Sequence, residues 1–247
     1  MEQNLIKKEP LGRGYHIYTS SEYRFGTDAV LLANFASPKH RDRCVDLGCG
    51  AGIIPLILTR DNSKLDITGV DIQTSACELL KKAAEENSFN NLKVINSNWC
   101  ELKGKLEFGA WDVVTCNPPY KKAEAGITNE NEARRIARHE TGTTLSDVCK
   151  AAASLLRSGG KFYMCHRPER LCDIICDMRS VNIEPKRIRF VHQRLNTEPW
   201  LVLVEGRRDG KSGIRIDNPL YIEWDNEPSK EMEEIYGVYR DGKGSEE

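Results

Sequence analysis

The hydrophobic positions of this chain fall into short apolar runs that alternate with amphipathic stretches. Apolar, β-prone runs of four to eight residues occur at 44–47, 65–72, 92–96, 112–116 and 161–166. Helical patterns, in which apolar residues recur every three or four positions, occur between or after them at 53–58, 75–87, 145–156 and 169–180. Alternating β and α units predict a parallel sheet that is covered by helices.

Both ends of the chain depart from this alternation. Apolar runs at 188–192 and 200–206 are joined by a tight loop without a helix, which predicts an antiparallel strand at one edge of the sheet. Residues 24–35 are typical of a helix that is capped by Thr27 or Asp28. The glycine-rich, acidic C-terminal segment is expected to be irregular. We therefore expect an N-terminal arm with a capping helix, a main α/β domain and an acidic C-terminal extension, at 1–40, 41–208 and 209–247.

Composition places the chain among ordinary globular proteins. Its 247 residues are 39% hydrophobic, which is enough for a substantial core. Nine cysteines occur without a CxxC pair, and Cys172 and Cys176, one helical turn apart, have no second ligand pair nearby. We therefore predict no metal site and a reducing, cytoplasmic location. We see no signal sequence or membrane-spanning stretch, and so expect no membrane partner.

Charge is unevenly distributed along the chain. The formal net charge is −1, yet thirteen basic residues face seven acidic ones between residues 157 and 215. From residue 217 onward, ten acidic residues face three basic ones. The basic segment is therefore a candidate surface for a polyanion, which the net charge conceals.

A glycine-rich turn joins the first predicted core strand to the next helix. Gly48, Gly50 and Gly52 follow an apolar strand that carries Asp46. Such a turn lets a ligand approach the backbone at the positive end of a helix. The next strand ends in Asp71, an acid that could bind a ribose diol. The GxGxG spacing and the preceding aspartate favour a small adenosyl ligand over a dinucleotide.

Two prolines end the fourth predicted strand, which runs into Asn117, Pro118, Pro119 and Tyr120. Because proline restricts the backbone here, the Asn117 amide, the Pro118 carbonyl and the Tyr120 ring have a defined arrangement. Two acceptor oxygens beside an aromatic face suit a planar ring that carries an exocyclic amine. Taken alone, the same residues are equally typical of a strand that ends in a Pro-Pro turn.

Two further segments are candidates for ligand contacts. Asn98 and Trp99 follow the third strand, where an amide could bond an adenine edge; Trp99 is equally well explained as a core residue. Residues 121–142 have no apolar face, which is typical of a substrate loop and also of a solvated surface segment. His139 lies in this segment, but alkylating an aromatic amine depends more on positioning than on a strong base.

These motifs resemble those of class I S-adenosylmethionine-dependent methyltransferases, whose Rossmann-like α/β fold has a seven-stranded, mostly parallel sheet with an antiparallel last strand. Residues 46–52 look like the methionine-binding turn of that family, Asp71 like its ribose-binding acid, and 117–120 like the catalytic signature of its amino-group branch. The family often has an acid at the position of Asn98. More narrowly, the chain is similar to bacterial N6-adenine methyltransferases of position 37 in valine tRNA, at 25–32, 138–140, 166–171, 189–192 and 201–206.

The resemblance implies S-adenosyl-L-methionine as the cofactor, the N6 amine of an RNA adenine as the methyl acceptor, and a tRNA anticodon loop as the substrate. No obligate protein partner is inferred. The catalytic residues would be Asn117, Pro118, Pro119 and Tyr120. The cofactor would be bound by Thr27, Asp28, Asp46, Gly48, Cys49, Gly50, Asp71, Ile72, Asn98, Trp99 and Asn117. RNA would be bound by Lys121, Arg134, Arg138, His139, Arg167, Arg187, Arg189 and Arg194.

Three other functions fit part of the pattern. A glutamine N5-methyltransferase that acts on a release factor shares the Asn-Pro-Pro-Tyr motif, but the roughly forty residues before the first core strand are too few for its usual N-terminal helical domain. A guanine-N2 rRNA methyltransferase would bind a similar ring, so the motif does not exclude it. A non-catalytic RNA-binding protein on the same fold is disfavoured, because the glycine turn, Asp71 and residues 117–120 occur together.

Overall fold

A nine-stranded sheet organises the part of the chain that the structure describes, which is residues 6–118 and 144–240 of a computed structural model. The strands in chain order are β1 Lys7–Gly12, β2 Tyr15–Thr19, β3 Arg43–Leu47, β4 Asp66–Asp71, β5 Leu92–Asn96, β6 Trp111–Cys116, β7 Leu156–His166, β8 Ile183–His192, β9 Pro199–Arg208, β10 Arg215–Ile216, β11 Leu220–Tyr221, β12 Glu223–Trp224 and β13 Glu227–Pro228. The helices are α1 Thr27–Phe35, α2 Ile53–Asp61, α3 Thr74–Glu86, α4 Leu145–Leu155, α5 Leu171–Ser180 and α6 Lys230–Arg240.

Seven strands form the main body of the sheet, in the order β5, β4, β3, β6, β7, β9, β8. The first five pair in parallel, and β9 pairs antiparallel with both β7 and β8. The expected mostly parallel sheet with an antiparallel last strand is therefore confirmed. Two short strands, β10 and β11, extend it by pairing in parallel with β8.

Helices cover both faces of the sheet and bury their apolar side chains against it. On one face, α1, α2 and α3 bury side chains such as Val30, Leu56 and Leu80, together with the β1–β2 hairpin. On the other face, α4 and α5 bury side chains such as Leu155 and Met178. None of the helices in the described ranges is long and apolar enough to cross a membrane.

The predicted cap of the first helix is wrong. Helix α1 begins at Thr27, its N-cap residue is Gly26, and no side chain caps it. Asp28 lies inside the first turn, where its Oδ1 accepts a hydrogen bond from the Ala29 N–H at 2.9 Å. The second oxygen of this carboxylate is directed elsewhere, toward the end of β6.

The prediction that the C-terminal segment is irregular is also wrong. Strands β10 to β13 and helix α6 lie in it, and Met232 of α6 is buried at 5% exposure. Arg189 of β8 holds α6 through two hydrogen bonds to the Glu231 carboxylate, at 2.5 and 2.7 Å. Strands of two residues have too short a hydrophobic pattern to be seen in sequence. Strands β10 and β11 form because β8 offers backbone groups at its edge, whereas β12 and β13 pair with each other.

Candidate active site

The predicted site residues converge on one edge of the sheet. Parallel strands end at the same edge, and ligands of such sheets bind just beyond their carboxyl ends. Gly48 follows β3, Asp71 ends β4, Asn98 follows β5 and Asn117 follows β6. Leu47 at the end of β3 pairs with Val70 of β4 and with Cys116 of β6. The loops that follow these three strands therefore lie side by side.

The glycine turn has a conformation that its residue types require. Gly52 has a φ of +93°, and a Cβ there would lie 2.1 Å from Leu80 Cδ1. A Cβ on Gly48 would lie 2.8 Å from Trp99 Cζ3, so the indole ring packs directly against the turn. These contacts hold the backbone between β3 and α2 in a tight curve with its N–H groups near the helix N-terminus.

Asp71 fixes the turn against β4. Its Oδ2 accepts from the Gly50 N–H at 2.8 Å, and its Oδ1 accepts from the Gln73 N–H at 2.9 Å. A carboxylate oxygen has two lone pairs, so each can still accept from a ribose hydroxyl. Ile72 follows with 63% of its surface exposed, an apolar side chain in solvent at the mouth of the site.

Asp46 is a buried carboxylate with one unsatisfied oxygen. Its Oδ1 accepts from Thr115 Oγ1 at 2.6 Å, whereas Oδ2 has no hydrogen-bond partner among the described residues. Burial raises the pKa of Asp46 to about 7. Buried polar atoms are rarely left unpaired, so an orphaned acceptor beneath the glycine turn marks a place for a ligand with a donor. Burial also raises the pKa of the neighbouring Cys49 thiol well above its usual range, which keeps this thiol neutral.

Asn98 and Trp99 line the β5 side of the turn. Asn98 Oδ1 accepts from the Cys100 N–H at 2.9 Å and caps a short 3₁₀ turn, which leaves the amide NH2 as the group it can offer a ligand. Trp99 Nε1 is buried without a partner in the described ranges. Trp99 therefore packs as a core residue and also borders the glycine turn.

Hydrogen bonds to Asp28 and from Cys165 fix the orientation of the Asn117 amide. Its Nδ2 donates to Asp28 Oδ2 at 3.1 Å, and its Oδ1 accepts from the Cys165 S–H at 3.2 Å. An ionised carboxylate only accepts hydrogen bonds, so the NH2 group must face Asp28 and the oxygen must face away from it. Sequence reasoning placed Asp28 near a cofactor and missed Cys165, which lies in β7 one residue beyond Met164, the partner of Cys116.

The remaining predicted residues of the site lie partly outside the residues that the structure describes. Pro119 and Tyr120 lie outside the described residues, as do Lys121, Arg134, Arg138 and His139. Pro118 is described and buried. Thr27 lines a cavity of about 530 Å³ that is shared with residues of the C-terminal segment, such as Ile222 and Met232.

The four described arginines of the predicted RNA surface fall into two groups. Arg167 is exposed just after β7, and Arg194, just after β8, is 60% exposed with its Nε 2.8 Å from Glu223 Oε2. Arg189 donates both of its hydrogen bonds with α6 to the Glu231 carboxylate. Arg187 is only 18% exposed, and its guanidinium stacks 3.9 Å from the centroid of the Phe35 ring.

Arg187 belongs to an internal ion-pair group. Its Nε lies 2.9 Å from Glu205 Oε2, although the N–H is not aligned for a hydrogen bond, and its Nη2 donates to the Phe35 carbonyl at 2.7 Å. Asp217 lies 3.6 Å from Nη1. Because Arg187 and Arg189 are held by side chains of the protein in the middle of β8, the geometry argues against their binding phosphates.

His166 ends β7 beside the site. Its Nδ1 accepts from the Arg167 N–H at 2.8 Å, which leaves the ring proton on Nε2. Burial, assisted by the positive charge of Arg170, lowers the pKa of His166 to about 4. The ring is therefore neutral at physiological pH. Within the described ranges, no group of three or more His, Cys, Asp or Glu residues could hold a metal ion.

The strand order, the glycine turn after β3 and the asparagine after β6 are together those of a class I methyltransferase. The chain belongs to the methyltransferase small domain family, whose model matches residues 16–175. It is 27% identical over 199 residues to a tRNA1(Val) (adenine(37)-N6)-methyltransferase of Porphyromonas gingivalis, covering 76% of each chain. A protein of the same name from Haemophilus influenzae is 31% identical over 151 residues, covering 59% of this chain and 62% of the relative.

Solved structures show the same fold. A predicted O-methyltransferase from Agrobacterium tumefaciens matches with a TM-score of 0.71 and 19% identity, over 86% of this chain and 97% of that one. The 16S rRNA N2 G1207 methyltransferase of T. Thermophilus, in complex with AdoMet and guanosine, matches with a TM-score of 0.57 and 15% identity, over 85% of this chain and 46% of that one. At these identities the similarity extends to the fold alone.

Proposed function

We propose that this protein transfers the methyl group of S-adenosylmethionine to the N6 amine of an adenine in tRNA, and that the target is adenine 37 in the anticodon loop of a valine tRNA. The observation that carries the proposal is the Asn117 amide, oriented by Asp28 at the carboxyl end of β6, next to the glycine turn. The names of the relatives support the choice of adenine and tRNA.

The cofactor residues fit their proposed ligand. The orphaned Oδ2 of Asp46 would accept from the cofactor's ammonium group, Asp71 from its ribose, and Ile72 would cover one face of its adenine. Asn98 would donate its NH2 to a ring nitrogen of that adenine, where an acid would instead accept from the adenine amine. When bound, S-adenosylmethionine supplies a methyl group on a sulfonium, which is already a good leaving group.

The amino group of adenine is a poor nucleophile because its lone pair is delocalised into the ring. In the proposed mechanism, Asn117 Oδ1 and the Pro118 carbonyl each accept one amino hydrogen, which favours a pyramidal nitrogen. The Cys165 thiol donates a hydrogen bond to Asn117 Oδ1, and a thiol is a weak donor, so the substrate amine readily replaces it. Tyr120 is proposed to stack on the base, which contributes about 1–3 kcal/mol. Correct orientation of donor and acceptor lowers the barrier by on the order of 7–11 kcal/mol.

The RNA would bind at the same carboxyl edge of the sheet, on the side of β7, β9 and β8. A base inside a helical stack cannot reach Asn117, and an unpaired loop gives up its stacking more easily than a duplex does. We propose Arg167, Arg194 and the predicted Lys121, Arg134, Arg138 and His139 as phosphate contacts, and leave out Arg187 and Arg189.

We also propose residues 41–208 as the catalytic domain, preceded by an arm at 1–40 and followed by an extension at 209–247. All nine cysteines are free thiols, which fits a reducing compartment and supports a cytoplasmic location.

The direct test is the identity of the product. The purified protein is incubated with S-adenosylmethionine and total tRNA, and the digested nucleosides are analysed by mass spectrometry. We expect N6-methyladenosine from wild type and none from Asn117→Ala, which should still bind the cofactor. Formation of N2-methylguanosine, or methylation of a release factor and not of tRNA, would overturn the proposal.

A further inference from the structure

A row of aromatic side chains lies along the carboxyl edge of the sheet, beyond the strand that carries Asn117. From β6 this edge continues through β7, β9, β8 and β11. Trp200 in β9 is 36% exposed and Trp224 in β12 is 51% exposed. Between them lie His192 and Tyr221, whose ring centroids are 5.4 Å apart, and Tyr221 lies 5.8 Å from Trp224. We call these four residues the aromatic row.

The backbone fixes the position of the aromatic row. The β8–β9 ladder pairs Val191 with Leu201 and His192 with Pro199, so Trp200 is an extra residue in a β-bulge. Bulges redirect side chains and are frequent beside active sites. The segment that carries Tyr221 and Trp224 is tied to the end of β8, because the Ile222 and Glu223 N–H groups donate to the carbonyls of residues 192 and 193, both at 2.9 Å.

Two exposed arginines lie near the Trp200 end of the aromatic row, whereas the β12–β13 hairpin that carries Trp224 also carries the acidic residues Glu223, Asp225 and Glu227. Arg167 is exposed between the catalytic strand and Trp200, and has no ion-pair partner among the residues that the structure describes. Arg194 is 60% exposed at the turn between β8 and β9. The nearby Glu223 carboxylate forms an ion pair with Arg194 Nε at 2.8 Å and accepts a hydrogen bond from Gln193 Nε2 at 2.6 Å. An exposed ring beside cations, as at Trp200, is a feature with which proteins bind single-stranded nucleic acid, and Trp224 would contribute stacking alone.

We propose that the unpaired nucleotides next to the target adenine lie along this edge, with bases stacked on Trp200 and Trp224 and phosphates beside Arg167 and Arg194. This inference rests on the proposed function and adds the path of the RNA. The four strand-to-strand steps from β6 to β11 span about 19 Å, at roughly 4.8 Å each. That length holds roughly five stacked nucleotides at about 3.4 Å each. The surface is thus continuous with the catalytic strand and is long enough for a loop.

The test measures binding and methylation of a synthetic RNA stem-loop that carries one unpaired target adenine. Loss of one stacked base corresponds to roughly a 5- to 150-fold weaker interaction. We therefore expect Trp200→Ala and Trp224→Ala each to raise the Kd for the RNA within that range and to leave the Kd for S-adenosylmethionine unchanged. Trp200→Phe and Trp224→Phe should retain most of the affinity. The matched control is Phe108→Ala, which removes a 46% exposed ring that precedes β6 at the opposite edge of the sheet.

A second measurement compares two RNAs on the same protein, so that any effect of a substitution on stability is common to both. Replacing one flanking nucleotide of the RNA by an abasic one should weaken binding to wild type, and the same replacement should cost much less with the alanine variant whose ring it contacted. If wild type methylates the RNA while both alanine variants bind it as tightly as wild type, the inference is wrong and the proposed function stands. If wild type neither binds nor methylates tRNA or the stem-loop, the proposed function itself fails. If the alanine variants instead lose binding of a protein and not of RNA, the aromatic row is a protein interface and the inference is overturned.

Discussion

Replacing Asp28 by asparagine tests how the site positions its acceptor oxygen. In wild type, Asp28 Oδ2 accepts from Asn117 Nδ2 at 3.1 Å, which directs the Asn117 oxygen away from α1. An asparagine at position 28 can present its own NH2 to Asn117, and the Asn117 amide can then rotate by half a turn. In that orientation an NH2 group faces the substrate amine, and it cannot accept an amino hydrogen.

The expected loss follows from the strength of one charged hydrogen bond. Such a bond contributes about 1.5–3 kcal/mol, which corresponds to about a 10- to 150-fold lower kcat. The change should cost the fold little, because a carboxylate in the first turn of a helix stabilises it by only about 0.3–1 kcal/mol. A folded protein with slow chemistry is therefore expected.

The assay is methyl transfer to tRNA in a single turnover, with cofactor and RNA both saturating, alongside calorimetric binding of S-adenosylmethionine. Asp28→Asn should lower the rate and leave cofactor affinity unchanged. Cys165→Ala removes the thiol that donates to Asn117 Oδ1, which is a weak donor, and should change the rate only a few-fold. An Asp28→Asn protein with wild-type kcat and weakened cofactor binding would refute this reasoning and assign Asp28 to the cofactor.

Three further predictions test the turn, the cofactor site and the C-terminal helix. Gly52→Ala should lower the free energy of unfolding in urea by about 1–3 kcal/mol more than Gly104→Ala, because both have positive φ but only the first Cβ meets a side chain; equal losses would exclude the clash. Burial raises the pKa of Asp46 to about 7, and the cationic group of the cofactor needs the ionised form of this carboxyl group. Calorimetry should therefore show S-adenosylmethionine binding about tenfold tighter at pH 8 than at pH 6. Asp46→Asn should remove this pH dependence, and a wild-type affinity that does not change with pH would contradict the prediction. Arg189→Ala should increase hydrogen exchange in α6 by breaking its pair with Glu231 and leave the Kd for tRNA unchanged; weaker RNA binding without faster exchange would return this arginine to the RNA surface.

Much of the fold could be predicted because it depends on local pattern. The alternation of apolar runs with helical stripes predicts the parallel sheet, and parallel strands place the residues after β3, β4, β5 and β6 at one edge. The contact of Asp28 with Asn117 joins positions 89 apart in the chain. A helix that precedes the first core strand has no fixed position relative to β6 until the sheet has formed, so sequence alone could only place Asp28 near the site.

The predicted RNA residues show where charge alone misleads. Arg187 and Arg189 lie in the most basic part of the sequence, yet their acidic partners Glu205, Asp217 and Glu231 come from β9 and from the C-terminal segment. Counting charges along the chain cannot reveal such partners, because they meet only through strand pairing. The aromatic row was missed for the same reason, since its members come from three segments that join at the end of β8.

The topology explains why the two ligands should meet at Asn117. From β3 the chain builds outward through β4 to β5 and then returns to β6, so the order of strands reverses between β3 and β6. Sheets of this kind open a crevice at that reversal. The glycine turn, Asp71 and Asn98 lie on the β3 to β5 side, whereas Arg167, Trp200 and Trp224 lie on the side of β7 and beyond. Asn117 follows β6 at the boundary, and a residue there can contact a substrate from one half while facing a methyl donor held by the other. The antiparallel strand and the C-terminal segment widen the half of the edge that we propose binds RNA, and on that proposal they do more than close the sheet.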